Sequence, residues 1–265
     1  MSEPFVLYLG LGLVTGVLSG LLGIGGGVVM VPCLYWGFGI LGYPAELRMI
    51  MAVATSLATI VPTSMSSGLA HHRRGYVDWS FALKLAPGIL LGTVAGASMV
   101  QYLPTNLFKL AVAVFQLLVA VSLIKPGSHQ DRPAPASRSG VTFLAGCVTG
   151  GLSAMVGIGG GTLSVPFMLY RGLTARHAVA TASVCGFPIA LVSTAVYTVT
   201  GWHHPDLPAW NLGYVHLPAW LGIALTSIST APLGAWLAHR LPTKILKRGL
   251  GLVIGAVGLK LLTEW

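Results

Sequence analysis

Charge is what this chain has least of. Only 8% of its 265 residues are Asp, Glu, Lys or Arg, against 54% hydrophobic. A soluble protein of this size could not cover its surface with so few charges. Acid is scarcest: Glu3, Glu46, Asp78, Asp131, Asp206 and Glu264 are the only carboxylates, and each falls in a loop or at a segment end. Proton relays and many cation sites use carboxylates at mid-membrane depth. A carboxylate-based proton antiporter and a multivalent-cation transporter are therefore disfavoured. The three cysteines, Cys33, Cys147 and Cys185, lie in apolar segments without metal spacing and are read as small packing residues.

Other shortages narrow the reading further. No His or Asp falls at a depth that would activate Ser19 or Ser153, so an intramembrane hydrolase is disfavoured; the chain is read as neither an enzyme nor a cofactor carrier. His71-His72 and His203-His204 resemble ligand pairs, but the topology derived below puts them on opposite faces, which argues against a shared metal. The start, Met-Ser-Glu-Pro, lacks a basic n-region, so no removable signal peptide is expected. The formal charge of +9 sits in short loops between apolar spans, where Lys and Arg act as topology signals rather than a nucleic-acid surface.

What is present is said twice. Gly23-Ile24-Gly25-Gly26-Gly27 with Pro32 returns 134 residues later as Gly157-Ile158-Gly159-Gly160-Gly161 with Pro166. Ala52-Val53-Ala54-Thr55-Ser56 pairs with Ala178-Val179-Ala180-Thr181-Ala182-Ser183. Gly75-Tyr76-Val77 pairs with Gly213-Tyr214-Val215, and Leu103-Pro104-Thr105 with Leu241-Pro242-Thr243. Mean hydropathy is +0.80. Apolar segments run at about 5–22, 28–41, 48–70, 80–101, 105–124, 141–156, 162–170, 177–200, 213–238 and 243–263. The expected organisation is one membrane domain, 1–265, with a first repeat at 1–124, a polar proline-rich cytoplasmic linker at 125–139, and a second repeat at 140–265.

The distribution of bases decides how each glycine-broken region (5–41 and 141–170) crosses. If each crossed once, one side would hold Arg48, Lys109, Arg171, Arg176, Arg240, Lys244, Lys247 and Arg248. The other would hold Arg73, Arg74, Lys84, Lys125, Arg132, Arg138 and Lys260, with no bias. If each region returns to its starting side, only Arg48, Lys109 and Lys260 remain on one side and the other twelve gather opposite, as the positive-inside rule requires. The expected fold class is therefore an all-α polytopic membrane protein of two inverted repeats. Each repeat is a glycine-broken helical hairpin followed by three transmembrane helices, and both termini are expected to be periplasmic. Such repeats place a substrate site near the midplane where the halves meet.

Glycine runs weaken a helix by up to about 1 kcal/mol per residue, and freed backbone groups cannot face hydrocarbon. Helices restarting near Val28 and Thr162 aim N–H groups back at their loops, which makes an anion site without a buried base. The competing reading is close packing through small residues. The expected substrate-binding residues are Gly23, Gly25, Gly26, Gly27, Gly157, Gly159, Gly160, Gly161, Thr162, Thr55, Ser56, Thr181 and Ser183. For the four span hydroxyls, Thr55, Ser56, Thr181 and Ser183, back-bonding to their own helix is an equal alternative. Pro62 and Pro188 are each expected to kink a span and free a carbonyl. Lys84 and His177 are expected near the inner ends of spans, as snorkelling residues or an anion entrance. Replacing Gly26 or Gly160 with Val is expected to abolish binding in a protein that still folds.

The glycine runs with their prolines, the Ala-x-Ala-Thr-Ser stretch, Gly-Tyr-Val-Asp-Trp and the ending Pro-Leu-Gly-Ala-Trp-Leu-Ala-His-Arg-Leu-Pro resemble the TauE/SafE family of sulfite exporters across nearly the whole chain. The resemblance implies a bacterial or plant membrane transporter associated with sulfite or small sulfonates. It would place Gly25 to Gly27 and Gly159 to Gly161 along the anion path with Thr55, Ser56 and Thr181. Ala182 departs from the pattern, standing where the first copy has Ser56. The expectation is an exporter of sulfite or a C2–C3 organosulfonate such as sulfoacetate in the cell inner membrane. An importer of a sulfur-containing or carboxylate anion, an anion channel and a membrane scaffold stand as alternatives. Its partners are then a small anion and the bilayer, with no nucleic acid; a homodimer is left open.

Overall fold

A computed structural model describes residues 2–22, 26–124, 139–238, 240 and 243–263. The expectations for Gly23, Ile24, Gly25, the linker residues 125–138, Leu241, Pro242 and Glu264 lie outside the described residues. The chain is nearly all helix: α1 (Ser2–Leu22), α2 (Gly27–Ile40), α3 (Ala45–His72), α4 (Trp79–Val100), α5 (Thr105–Ile124), α6 (Ser139–Val156), α7 (Gly161–Tyr170), α8 (Ala175–Gly201), α9 (Leu217–Leu237) and α10 (Thr243–Thr263). These bounds follow the apolar segments closely, with one correction. Gly213–His216 is not helical; β1 (Asn211–Leu212) and β2 (Val215–His216) form a small antiparallel hairpin that α9 follows. Gly213 at φ 57° turns it, and Pro218 in the first turn of α9 starts the helix where its missing N–H costs nothing. Among the described residues, α3, α4, α5, α6, α8 and α9 are long and apolar enough to span a bilayer. The protein is a multi-pass membrane protein.

Glycine decides how the helices pair. A Cβ on Gly12 or Gly16 of α1 would meet the α9 backbone at Ile223 and Ser227, and one on Gly20 would meet Ala231 and Ala235. A second pair joins the two repeats in the same way: Gly88, Gly92 and Gly96 of α4 press on Phe143, Cys147 and Gly151 of α6. Both pairs advance in step, so α1 runs parallel to α9 and α6 parallel to α4. Two central pairs run oppositely: Ser64 and Gly68 of α3 meet Gly186 and Val184 of α8, and Gly251 and Gly258 of α10 meet Ala120 and Leu117 of α5. Close approach of small residues gives dense van der Waals contact where no water drives helices together.

Each broken region returns to the end at which it began. Phe38 near the end of α2 and Tyr43 just beyond it share one aromatic cluster with Tyr8 of α1, built around His216. Phe167 of α7 likewise lies 6.1 Å from Phe81 at the start of α4, whose partner α6 begins nearby. The three bases of the sparse set also converge on α2 and its exit: the Lys109 ammonium lies 5.0 Å from the Tyr35 ring, that of Lys260 4.5 Å from Trp36, and Arg48 Nε donates to the Tyr43 carbonyl at 2.7 Å.

Pro62 and Pro188 both lie inside continuous helices. The carbonyl that Pro62 cannot serve, Ala58 four residues back, accepts from the indole N–H of Trp220 at 3.1 Å. The break in the α3 ladder is thus closed by α9. Of the cysteines, Cys185 is buried and Cys147 half-buried, while Cys33 is exposed on α2, so the packing role expected from its apolar neighbours is not seen for it.

Candidate functional site

The first helix restart meets the second glycine loop. A Cβ on Gly27 would collide with the Gly157 carbonyl and come within 2.9 Å of Ile158 Cα, so the first helix restart sits on the backbone of the second loop. Around that contact, Gly157 packs on Val31 of α2 and Val53 of α3, while Gly159 presents its carbonyl to Gly186 of α8. Ser56 Oγ donates to the Gly157 carbonyl at 2.8 Å. The start of α2 and the second loop, 130 residues apart at Gly27 and Gly157, therefore share one place, near the middles of α3 and α8.

Local geometry explains why glycine is required there. Gly26 and Gly160 are the N-caps of α2 and α7 with φ of 71° and 78°, in the left-handed region that residues with a Cβ rarely adopt. Their carbonyls each accept two bonds, Gly26 from Val29 and Met30, Gly160 from Leu163 and Ser164. The N–H groups of Gly161 and Thr162 find no acceptor among the described residues. They open toward the loop, as the start of a helix that can hold an anion requires. A Cβ on Gly26 would stand 2.6 Å from the Thr15 carbonyl, and one on Gly160 would strike Ile189. Valine at either position therefore damages the fold, and those substitutions do not isolate binding as the sequence suggested.

The hydroxyls of the spans are largely committed to the protein itself. Thr55 Oγ1 accepts the backbone N–H of His216, and Thr181 Oγ1 that of Asp78, both at 3.0 Å. These bonds are repeat equivalents: each threonine fastens the residue that caps the next long helix of the opposite half, α9 or α4. Ser183 bonds back to Val179 at 3.0 Å. Of the four span hydroxyls read equally as ligand groups or as back-bonding residues, Ser183 bonds back within its own helix, and Thr55, Ser56 and Thr181 each bond backbone of the opposite repeat. Lys84 is exposed, and His177 pairs with Thr174 Oγ1 at 2.8 Å. Gly159, Gly160, Gly161 and Thr162 remain at the loop contact, with Gly26 and Gly27 opposite.

Sequence reasoning missed a second pair of fasteners. His71 Nε2 bonds the Gly20 carbonyl of α1 at 3.0 Å, and Tyr197 Oη donates to the Ala154 carbonyl of α6 at 3.0 Å. Each holds the last turns before a glycine loop. The offset that aligns Thr55 with Thr181 also aligns His71 with Tyr197, which is the signal that would have found them. An open cavity of about 300 Å³ lined by Ala45, Glu46, Pro104, Thr105, Asn106 and Lys109 lies at the first Leu-Pro-Thr corner, some three turns of α3 from Ser56. It shares no residue with the loops.

His216 carries the clearest pH consequence. Its ring is enclosed by Phe38 at 5.3 Å and Tyr43 at 5.5 Å, with Nδ1 paired to Asn211 Oδ1 at 2.8 Å. Burial disfavours the imidazolium and lowers its pKa from 6.5 to about 4. A depressed base binds more protons unfolded than folded, so its contribution is complete above pH 6.5 and is lost as pH falls toward 4. We expect a loss of at most about 3 kcal/mol across that window. Denaturation midpoints in detergent should fall between pH 7 and pH 4 in the wild type and stay nearly flat in His216→Phe. A wild-type profile as flat as the variant's refutes the assignment.

A returning pair of glycine-capped half-helices held between long antiparallel spans defines a membrane transporter. Residues 8–261 match the family described as "Sulfite exporter TauE/SafE", and the chain belongs to that family. It is 33% identical over 265 residues to a Haemophilus influenzae protein named "Probable membrane transporter protein", covering 98% of this chain and 99% of that one. A similarly named protein of Methanocaldococcus jannaschii is 27% identical over 95% of this chain and 92% of its own length. The Bacillus subtilis protein YunE is 27% identical over 98% of each chain. No solved structure matches the chain.

Proposed function

We propose that the protein exports a small sulfur oxyanion, sulfite or a C2–C3 organosulfonate such as sulfoacetate, across the inner membrane by alternating access. The observation that carries this reading is the meeting of two helix restarts at one backbone contact, with unpaired N–H groups at Gly161 and Thr162 and no base required. Backbone N–H dipoles of that kind favour an anion. The family's name supplies the sulfur. The antiparallel pairing of α3 with α8 and of α5 with α10 supports two halves related by inversion, which can rock against each other around a fixed site. The gathering of Arg48, Lys109 and Lys260 around α2 supports the base-poor face as periplasmic.

Voltage makes export self-sufficient. A cytoplasm negative inside drives an anion outward by about 2.3 kcal/mol per charge per 100 mV. For a dianion that is more than a thousandfold accumulation outside, since about 1.4 kcal/mol is a factor of ten. The test is radiolabelled sulfite flux in proteoliposomes under an imposed potential, competed with sulfate, sulfoacetate, sulfolactate, acetate and chloride. Flux that follows voltage and yields only to sulfur oxyanions is the expected result. Exchange of acetate without sulfite flux would overturn the substrate, and single-channel currents without trans-stimulated exchange would replace the carrier by a channel.

A further inference from the structure

The cavity at the first Leu-Pro-Thr corner has no part in the glycine contact and a chemistry of its own. It lies where two spans begin: Ala45 and Glu46 open α3, and Thr105, Asn106 and Lys109 open α5 behind Pro104. Its volume of about 300 Å³ is at the lower end of the range for small-molecule sites. Glu46 is one of only six acidic residues in the chain, and here it lines the same space as a base. Glu46 and Lys109 nevertheless form no ion pair, and the side chains of Thr105 and Asn106 bond nothing among the described residues. The Lys109 ammonium lies instead 5.0 Å from the Tyr35 ring. The neighbouring base is spent elsewhere: Arg48 gives its Nε to the Tyr43 carbonyl and rests its guanidinium near Gly39.

Two opposite charges that share a small cavity without pairing define what fits it. A simple anion gains Lys109 but faces Glu46, and a simple cation meets the reverse. A molecule that carries both charges a few bonds apart satisfies each, and the Thr105 hydroxyl and Asn106 amide remain to complete the contacts of its anionic group. The setting narrows the source. The cavity lies at the ends of membrane spans, and Tyr102 and Leu107, which flank lining residues 104–106 in the chain, are 79% and 47% exposed. Such side chains at a span boundary suit the junction of lipid head groups and acyl chains. We propose that the cavity binds the phosphoethanolamine head group of a membrane phospholipid, with its ammonium at Glu46 and its phosphate at Lys109, Thr105 and Asn106. The site is separate from the anion path and independent of which anion is carried. A phosphatidylglycerol head has no cation and turns its phosphate on Glu46. A phosphatidylcholine head has a cation but no N–H to give the carboxylate. Both therefore bind more weakly.

The test is thermal denaturation of the delipidated full chain in detergent, titrated with short-chain phosphatidylethanolamine, phosphatidylcholine and phosphatidylglycerol. A ligand that binds only the folded chain raises the midpoint in proportion to its occupancy. In the wild type the ethanolamine lipid should act at a concentration at least about tenfold below that of the other two, as the loss of a hydrogen bond to a charged group implies. Glu46→Gln and Lys109→Gln should each raise the required concentration roughly ten- to a hundredfold, and Glu46→Gln should also remove the advantage over phosphatidylglycerol. Both side chains lie at the surface of the fold, and midpoints without lipid show that the variants are folded. Asp206→Asn, a change to an exposed carboxylate outside the cavity, should leave the lipid response as it is. No shift with any lipid, or an equal shift with all three, overturns the site. So does an unaltered response in folded Glu46→Gln and Lys109→Gln. Free phosphoethanolamine acting at the same concentration as the lipid overturns the lipid assignment in favour of a soluble zwitterion.

Discussion

Gly27→Ala is expected to abolish anion flux and to destabilise the protein by about 1–3 kcal/mol or more, the usual range for overpacking a close contact. The cause is steric alone. Gly27 is not among the glycines with positive φ, so alanine is conformationally permitted there. Its methyl group, however, would enter the Gly157 carbonyl and crowd Ile158 Cα. Both are backbone atoms of the opposite half, fixed by Ser56 and by the burial of Ile158, and cannot rotate away. The start of α2 and the second loop must separate, which dissolves the arrangement of helix restarts. Gly37→Ala on the same helix meets nothing within 4 Å and should leave flux and stability unchanged. Flux in proteoliposomes together with denaturation midpoints of the two variants measures the difference. Wild-type flux from Gly27→Ala would mean that the loop contact is not needed for transport.

Much of this architecture could be read from the chain because hydrophobicity and glycine report it directly. An apolar run long enough to span has few alternatives, so the bounds of α3, α4, α5 and α8 lie within a few residues of the expected ones. The paired glycine runs identified the loops, since a left-handed N-cap admits little else. The Gly213–His216 stretch was misjudged because Tyr214 and Val215 are as apolar as the helix they precede, and a two-residue hairpin leaves no period to detect. The hydroxyls were harder. Ser183 makes the local back-bond that the sequence allowed, but the partners of Thr55, Ser56 and Thr181 come from loops or turns that sequence distance hides: His216 is 161 residues from Thr55, and Gly157 is 101 from Ser56. Ser153 drew notice only as a nucleophile lacking a base. Its place beside Gly160 emerges when the chain doubles back along α6, where Thr149 and Ser153 face the N-cap.

Thr55 and Thr181 separate fastening from binding most sharply. Thr55→Val removes the acceptor of the His216 N–H but keeps the shape of the side chain. The N–H belongs to the N-cap residue of α9 and is buried, His216 being only 4% exposed. An orphaned buried donor costs roughly 1–3 kcal/mol, and the loss falls on the junction that holds α9, and with it α1, against α3. Thr181→Val orphans the N–H of Asp78, which is only partly buried, so the cost there should be smaller. Thr55→Ser retains the oxygen and should restore most of the stability. If these threonines fasten, denaturation midpoints should fall in the order Thr55→Val, Thr181→Val, Thr55→Ser, with the first lowest. Sulfite affinity of the folded fraction should stay within about twofold of wild type, since no hydrogen bond to the ligand is lost. If instead they bind the anion, affinity should drop about tenfold or more in both valine variants while the midpoints hardly move. The two outcomes are opposite in both observables, and the repeat makes the comparison internal: equivalent positions, one donor buried and one partly wet, must differ in stability by that burial alone if fastening is their role.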